Sequence, residues 1–161
     1  MPKQKLFWIY LVVLHLLLAL LVTRTDAYQI LLRYFGVPPA EGGEYQRNVL
    51  AFQLRQQPFI PKNSVHLLGD SHIQGLYLND FCPNAVNLGI GGDTTSGLLV
   101  RLPYYSSLQS ASAVVLLIGY NDLPYRSNIQ IIEQYQQVLA QLAPNTKKLL
   151  VAIPPPSEQF H

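Results

Sequence analysis

Cysteine, charge and basic clusters are what this chain of 161 residues has least of. A single cysteine, Cys82, cannot close an internal disulfide, and no His/Cys cluster surrounds it, which excludes a structural zinc site within the chain. In the loop Asn79-Asp80-Phe81-Cys82-Pro83-Asn84 it reads as a small, partly buried residue, so cysteine usage says nothing about compartment. Only 12% of residues are charged, the formal net charge is +2, and the basic residues are scattered. With no basic run interleaved with aromatics, a nucleic-acid partner is set aside. No His/carboxylate spacing suits a metal ion, and no cofactor template fits. The glycines at 89, 91 and 92 lack the third glycine of a dinucleotide fingerprint, where Thr94 stands. The stretch Gly92 to Gly97 runs into Leu98 and Leu99, where a P-loop needs lysine and Ser/Thr. There is no internal repeat and no low-complexity tract.

Apolar residues are what the chain has in plenty, at 49% of the total, enough for one compact domain with a real core. Part of that share is concentrated at the N-terminus. Lys3 and Lys5 precede an unbroken apolar run from Leu6 to Val22, with His15 as its one ionisable interruption. As a helix the run spans roughly 25 Å, near the lower limit for crossing a bilayer core. It exceeds the ~7–15 residues of a cleavable signal core, so an uncleaved membrane anchor over 1–27 is expected. The two lysines ahead of the run place the N-terminus in the cytoplasm and the rest of the chain on the exported side, periplasmic or extracellular. Cleavage at the small-x-small pattern Thr25-Asp26-Ala27, giving a secreted protein, is the alternative. Residues 28–43, with Pro38-Pro39 and Gly42-Gly43, read as a linker, and 44–161 as the domain.

Within that domain, Glu44 to Gln57 is expected to be helical, with Tyr45, Val49, Leu50 and Phe52 or Leu54 on its apolar side. Four short apolar runs follow, at Val65–Leu68, Ala85–Leu88, Ala113–Ile118 and Leu149–Ile153, each stopped by Gly or Pro. Such runs fit strands buried on both faces, as in a parallel sheet. Between the last two lies Ile129 to Leu142, where Ile129, Ile132, Tyr135, Val138 or Leu139, and Leu142 recur at helical spacing, with a Ser127/Gln130 capping box at the start. Strand and helix in alternation imply a doubly wound α/β/α sandwich with a central parallel sheet.

In open α/β sheets ligands sit beyond the carboxyl ends of the strands. Three of these strand ends carry unusual polar residues: Gly69-Asp70-Ser71-His72, then Gly89-Ile90-Gly91-Gly92-Asp93-Thr94, then Gly119-Tyr120-Asn121-Asp122. Acyl transfer needs a nucleophile and donors for the oxyanion that develops at the carbonyl. Ser71, just past a buried strand, can supply the first. The backbone N–H of Gly92, unobstructed by a side chain, and the Asn121 amide can supply the others. Tyr120 and Tyr125 flank the third block and could line a pocket; Tyr104 and Tyr105 read as packing residues. Asp70 and Asp122 read as braces of their turns, and Asp93 or Thr94 as the cap of the next helix.

These three blocks, in this order, resemble those of the SGNH, or GDSL-type, hydrolases. Over about Val65 to Pro156 the resemblance implies the flavodoxin-like sandwich of that family, with Ser71 as nucleophile and Gly92 and Asn121 in the oxyanion hole beside Ser71's own N–H. Asp70 and Tyr120 would contact substrate. The phrase Gly92-Asp93-Thr94-Thr95 and the later Arg101-Leu102 add to the match. The implied activity is hydrolysis of carboxylic esters, acyl groups on lipids or O-acetyl groups on glycans, through an acyl-enzyme on Ser71. One block is missing: the aspartate and the histidine three residues on, which follow a fifth strand. A serine hydroxyl without a base is a poor nucleophile. The expectation is a C-terminally truncated copy, since His66 lies within a strand, His72 at a helix start and His161 at the very end. A catalytically incomplete binding or scaffold protein, and an O-acyltransferase using the same residues, are the alternatives. The residues leave the substrate and the oligomeric state open.

Overall fold

The computed structural model describes residues 3–24, 34, 42–78 and 82–153. The cleavage point at Ala27, most of the linker 28–43, part of the Cys82 loop, Pro154–Pro156 and His161 lie outside them. The chain divides into two compact units, Met1–Pro39 and Ala40–His161.

The first unit contains helix α1, Lys3–Arg24, of 22 residues. Its 21-residue stretch Lys3–Thr23, with mean hydropathy 2.6, is long and apolar enough to cross a bilayer. Large apolar side chains such as Leu6, Trp8, Leu16 and Leu21 are exposed around it, as a lipid-facing helix requires. The polar side chains of His15 and Thr23 are satisfied on their own helix. His15 Nδ1 donates to the Leu11 carbonyl at 2.6 Å, and Thr23 Oγ1 to Ala19 O and Leu20 O, each at 3.0 Å.

The second unit is an α/β sandwich with helices on both sides of a sheet of four parallel strands in the order β2-β1-β3-β4. The strands are β1 Val65–Gly69, β2 Ala85–Gly89, β3 Ala113–Leu117 and β4 Lys147–Leu150. The helices are α2 Glu44–Gln56, α3 Ser71–Gln74, α4 Thr95–Arg101 and α5 Asn128–Gln141. Register positions the site: Gly69 lies opposite both Gly89 and Leu117, so the segments after β1, β2 and β3 leave the same edge side by side. The core holds Leu68, Leu88, Leu116 and Ile118 of the sheet region against Leu98, Leu102 and Val138 of the helices. Each such side chain contributes about 1.5–3 kcal/mol when fully buried.

Three expectations about faces need correction. The inward positions are Leu50, Gln53 and Leu54 of α2 and Gln57 just after it, while Tyr45 and Phe52 are exposed. The two glutamines are buried because each bonds the core: Gln53 Nε2 donates to Gly89 O at 3.1 Å, and Gln57 Oε1 accepts from Ser107. In and just after α5, Tyr135, Val138 and Leu142 face inward as expected, but the first turn turns Ile131 inward and leaves Ile129 and Ile132 exposed. Its Ser127/Gln130 capping box is formed as expected. Strand β4 begins at Lys147, where Ala113 of β3 offers pairing, and lies exposed on both faces at the sheet edge. Burial on both faces therefore does not extend to β4.

Glycine is required where α3 meets the sheet. A Cβ on Gly89 would lie 2.3 Å from the Gln74 backbone nitrogen. Asn87 completes the junction, donating from Nδ2 to Ile73 O at 2.7 Å and accepting the Gly89 N–H at 3.0 Å.

Candidate functional site

The carboxyl edge of the sheet gathers the three polar segments. After β1, Asp70 is the N-cap of α3 and Ser71 its first residue. Ser71 is exposed and its hydroxyl has no hydrogen-bond partner among the described residues. Asp70 is 1% exposed. Its Oδ1 accepts both the backbone N–H and the ring Nδ1–H of His72, at 2.9 and 2.8 Å, whereas Oδ2 is buried with no partner among the described residues. The His72 ring also meets the Tyr120 ring in a T-shaped contact, with centroids 5.3 Å apart. His72 is thus held between the first and third segments.

After β2, Ile90 O accepts the Asp93 N–H at 3.1 Å and closes a tight turn around Gly91 and Gly92. Gly92 has φ +73°, a left-handed conformation that a side chain would strain. Its N–H has no acceptor among the described residues. Gly91 is pinned from α3: its N–H donates to Gln74 Oε1 at 2.6 Å, and the same oxygen takes the Tyr45 hydroxyl at 2.9 Å. After β3, Gly119 at φ +112° begins the 3-10 turn Tyr120–Asp122. Asn121 Nδ2 donates to the Asp93 carbonyl at 2.8 Å, which seats this side chain one residue from Gly92.

Two buried networks fix these loops. Arg101, 3% exposed, donates Nε to Asp93 Oδ2 at 2.7 Å and from its terminal nitrogens to Leu88 O, Gly69 O and Tyr105 Oη, at 2.7, 2.9 and 2.5 Å. It joins the ends of β1 and β2 to the residue after Gly92. Burial pushes the Asp93 carboxyl above the ordinary carboxylate range, with Arg101 opposing that rise. Asp122, wholly buried, accepts from Thr95 N at 2.9 Å, Thr95 Oγ1 at 2.7 Å and Arg126 at 2.8 Å. That ties the third segment to the start of α4, which Thr94 caps through Gly97 N.

Ser71, Gly92, Asn121, Tyr120 and Asp70 therefore lie on segments that share one edge, and Asn121 and Gly92 are locked together through Asp93. Sequence reasoning missed the parts played by Arg101, Gln74 and Thr95. For Arg101 a signal existed, a lone charge inside the apolar run Leu98-Leu99-Val100-Arg101-Leu102. His66, inside β1, is fully buried and apart from this edge. Its Nε2–H donates to Ser107 Oγ at 2.8 Å, since that hydroxyl donates onward to Gln57. Desolvation lowers its pKa. Among the described residues no group of His, Cys, Asp and Glu could hold a metal ion.

Fold and site together define an open parallel α/β sandwich with three polar segments gathered at the carboxyl edge of its sheet. No family model and no curated protein matches the sequence. The fold is shared with a solved Streptococcus pneumonia protein provisionally described as a platelet activating factor. That likeness has TM-score 0.62 and 22% identity, over 84% of this chain and 64% of that one. A Bacteroides fragilis protein provisionally described as an acylhydrolase aligns at TM-score 0.49 and 22% identity, over 65% of this chain and 57% of that one. The chain spans less than two thirds of either protein.

Proposed function

We propose that this chain carries the nucleophile and oxyanion hole of a membrane-anchored SGNH-type serine esterase. One observation carries the reading: the Asn121 amide is docked on the carbonyl next to Gly92, while the Gly92 N–H and the Ser71 hydroxyl, on adjacent strand ends, have no partner among the described residues. In an ester-bound state the Ser71 oxygen would add to the carbonyl carbon. The negative charge moving onto the carbonyl oxygen would be met by the Gly92 N–H, the Ser71 N–H and the second Asn121 amide hydrogen. The left-handed turn and the Asp93 anchor set those donors beforehand, so their reorganisation costs little at the moment of reaction.

The Ser71 proton needs an acceptor. His72 keeps Nδ1 on Asp70, and no described imidazole is hydrogen-bonded to Ser71, so the reading calls for a base from outside the described residues. A histidine following β4 would supply it. The lysines before α1 support an exported orientation for the 44–161 domain, where ester groups of lipids or glycans are at hand.

The test is covalent. The full-length protein, incubated with a fluorophosphonate probe, should gain the probe's mass on the peptide containing Ser71. Ser71→Ala should abolish labelling, and labelling that persists in this variant refutes the assignment. A protein that folds yet never reacts would favour the binding-protein alternative.

A further inference from the structure

We propose that the outer face of α2 and the turn after it dock on a phospholipid surface. Tyr45, Phe52 and Phe59 would enter the headgroup boundary, and Arg55 and Lys62 would meet lipid phosphates. The proposal rests on the anchor part of the reading above and uses none of its chemistry. Leu50 and Leu54 pack on the core and Gln53 is buried, so the opposite side of α2 faces outward. Tyr45 and Phe52, seven residues apart, lie within about 20° of each other around the helix axis on that outer side. They are 55% and 61% exposed, and Phe59, which ends the 3-10 turn continuing the helix, is 83% exposed. A lone exposed apolar residue is ordinary, but a row of large ones marks an interaction surface.

The chemistry of the row favours lipid over protein. Aromatic rings with cations beside them suit the membrane interface, where the rings take the apolar boundary and the cations take the phosphates. Residues 44–62 carry Arg47, Arg55 and Lys62 against Glu44 alone. Arg55 and Lys62 are exposed, whereas Arg47 donates to the Gly42 carbonyl. The chain reaches α2 nineteen residues after α1, a helix long and apolar enough to cross a bilayer. A tether of that length raises the effective concentration of this face at a lipid surface, so weak attraction suffices. The row also ends at the candidate site. The Tyr45 hydroxyl donates to Gln74 Oε1, the oxygen that holds the Gly91 N–H. Docking through α2 would therefore hold the three polar segments beside lipid.

Tryptophan fluorescence in the full-length protein tests this. With Trp8→Phe in place, Phe52→Trp puts the one tryptophan on the proposed face. Leu149→Trp is the control: Leu149 pairs with Val115, on the sheet face opposite Val114 and Leu116, against whose core Leu50 and Leu54 pack. The vesicles contain equal parts of phosphatidylglycerol and of phosphatidylcholine brominated near the top of its acyl chains. Bromine should quench Phe52→Trp and spare Leu149→Trp. Equal quenching at the two positions, or none at Phe52→Trp, overturns the proposal. Shielding of Phe52→Trp from aqueous acrylamide without quenching by the lipid would mean a protein partner, such as a second copy, and overturns it too. Arg55→Gln and Lys62→Gln should each lower the docked-to-free ratio, read from the quenched fraction, by about fivefold. No change on removing both charges also refutes it. Wild-type protein, whose one tryptophan is Trp8, reports on α1 separately. Quenched Trp8 with unquenched Phe52→Trp removes the docking and leaves the anchor; the converse removes the anchor and retains the docking.

Discussion

Replacing Arg101 by methionine should cost about 3–5 kcal/mol of folding stability, the range for stripping one partner from a buried ion pair. The structure says where the loss arises. Gly69 O keeps the Ile90 N–H at 3.0 Å, and the Tyr105 hydroxyl keeps Gln53 at 2.5 Å, so neither is orphaned. The Asp93 carboxylate is the group left stranded, since its side chain is 7% exposed and Arg101 is its ion-pair partner. Methionine conserves volume, so cavity formation adds little. With a urea m-value of about 1–3 kcal/mol per molar, the midpoint should fall by roughly 2 M. Unfolding should be followed in detergent micelles by near-UV circular dichroism of the tyrosines, because the one tryptophan, Trp8, lies in α1 and reports on that helix. Asp93→Asn combined with Arg101→Met removes both charges and should recover at least half the loss. The pH response has a definite sign. A carboxyl whose pKa is raised on folding binds protons more tightly in the native state, so stability should recover as pH falls through the raised value toward about 3.9. The reasoning fails if Arg101→Met costs under about 1 kcal/mol, or if the double variant is no more stable than the single one.

On the proposed esterase reading, Asn121→Ala should reduce Ser71-dependent turnover by about 10²–10³-fold with an unchanged dichroism spectrum, the range for loss of one oxyanion donor; a loss under fivefold would exclude Asn121 from that role. His66 is neutral when folded and its pKa is lowered, so its contribution is full above about 6.5 and is lost as pH falls toward the lowered value. Chemical denaturation between pH 7.5 and 5 should therefore show a limb of up to ~1.4 kcal/mol per unit that His66→Gln abolishes; an identical limb in the variant would locate the titration elsewhere. Gly89→Ala drives a methyl into the α3 backbone, and should cost about 1–3 kcal/mol or more and slow probe labelling of Ser71. Wild-type thermal stability in this variant would show that α3 does not bear on the strand as described.

How much was legible in the sequence differs from element to element, for physical reasons. Strands β1, β2 and β3 could be read because each is a short apolar run cut off by glycine or by a polar turn, and that signal is local. The polar blocks after them could be read for the same reason. The inward faces of α2 and α5 could be read only in part: Leu50, Leu54, Tyr135, Val138 and Leu142 lie where their spacing put them, but the remaining positions do not. Tyr45, Phe52, Ile129 and Ile132 have the hydrophobicity of core residues, but the sheet meets these helices on another side, where Gln53 and Gln57 find partners that make their burial tolerable. Strand β4 starts where β3 offers hydrogen bonds, and apolar content does not mark that point.

The sequence by itself determined the apolar N-terminal helix, the alternation of strand and helix, and a serine, a glycine and an asparagine at three successive strand ends, because each depends on the chemistry of a few adjacent residues. Tertiary structure alone decided what joins them. Asn121 to Asp93 spans 28 positions, Thr95 to Asp122 spans 27, and Arg101 to Gly69 spans 32. Such pairs meet only once the strands take the order β2-β1-β3-β4, and strand order is a property of how the whole chain packs.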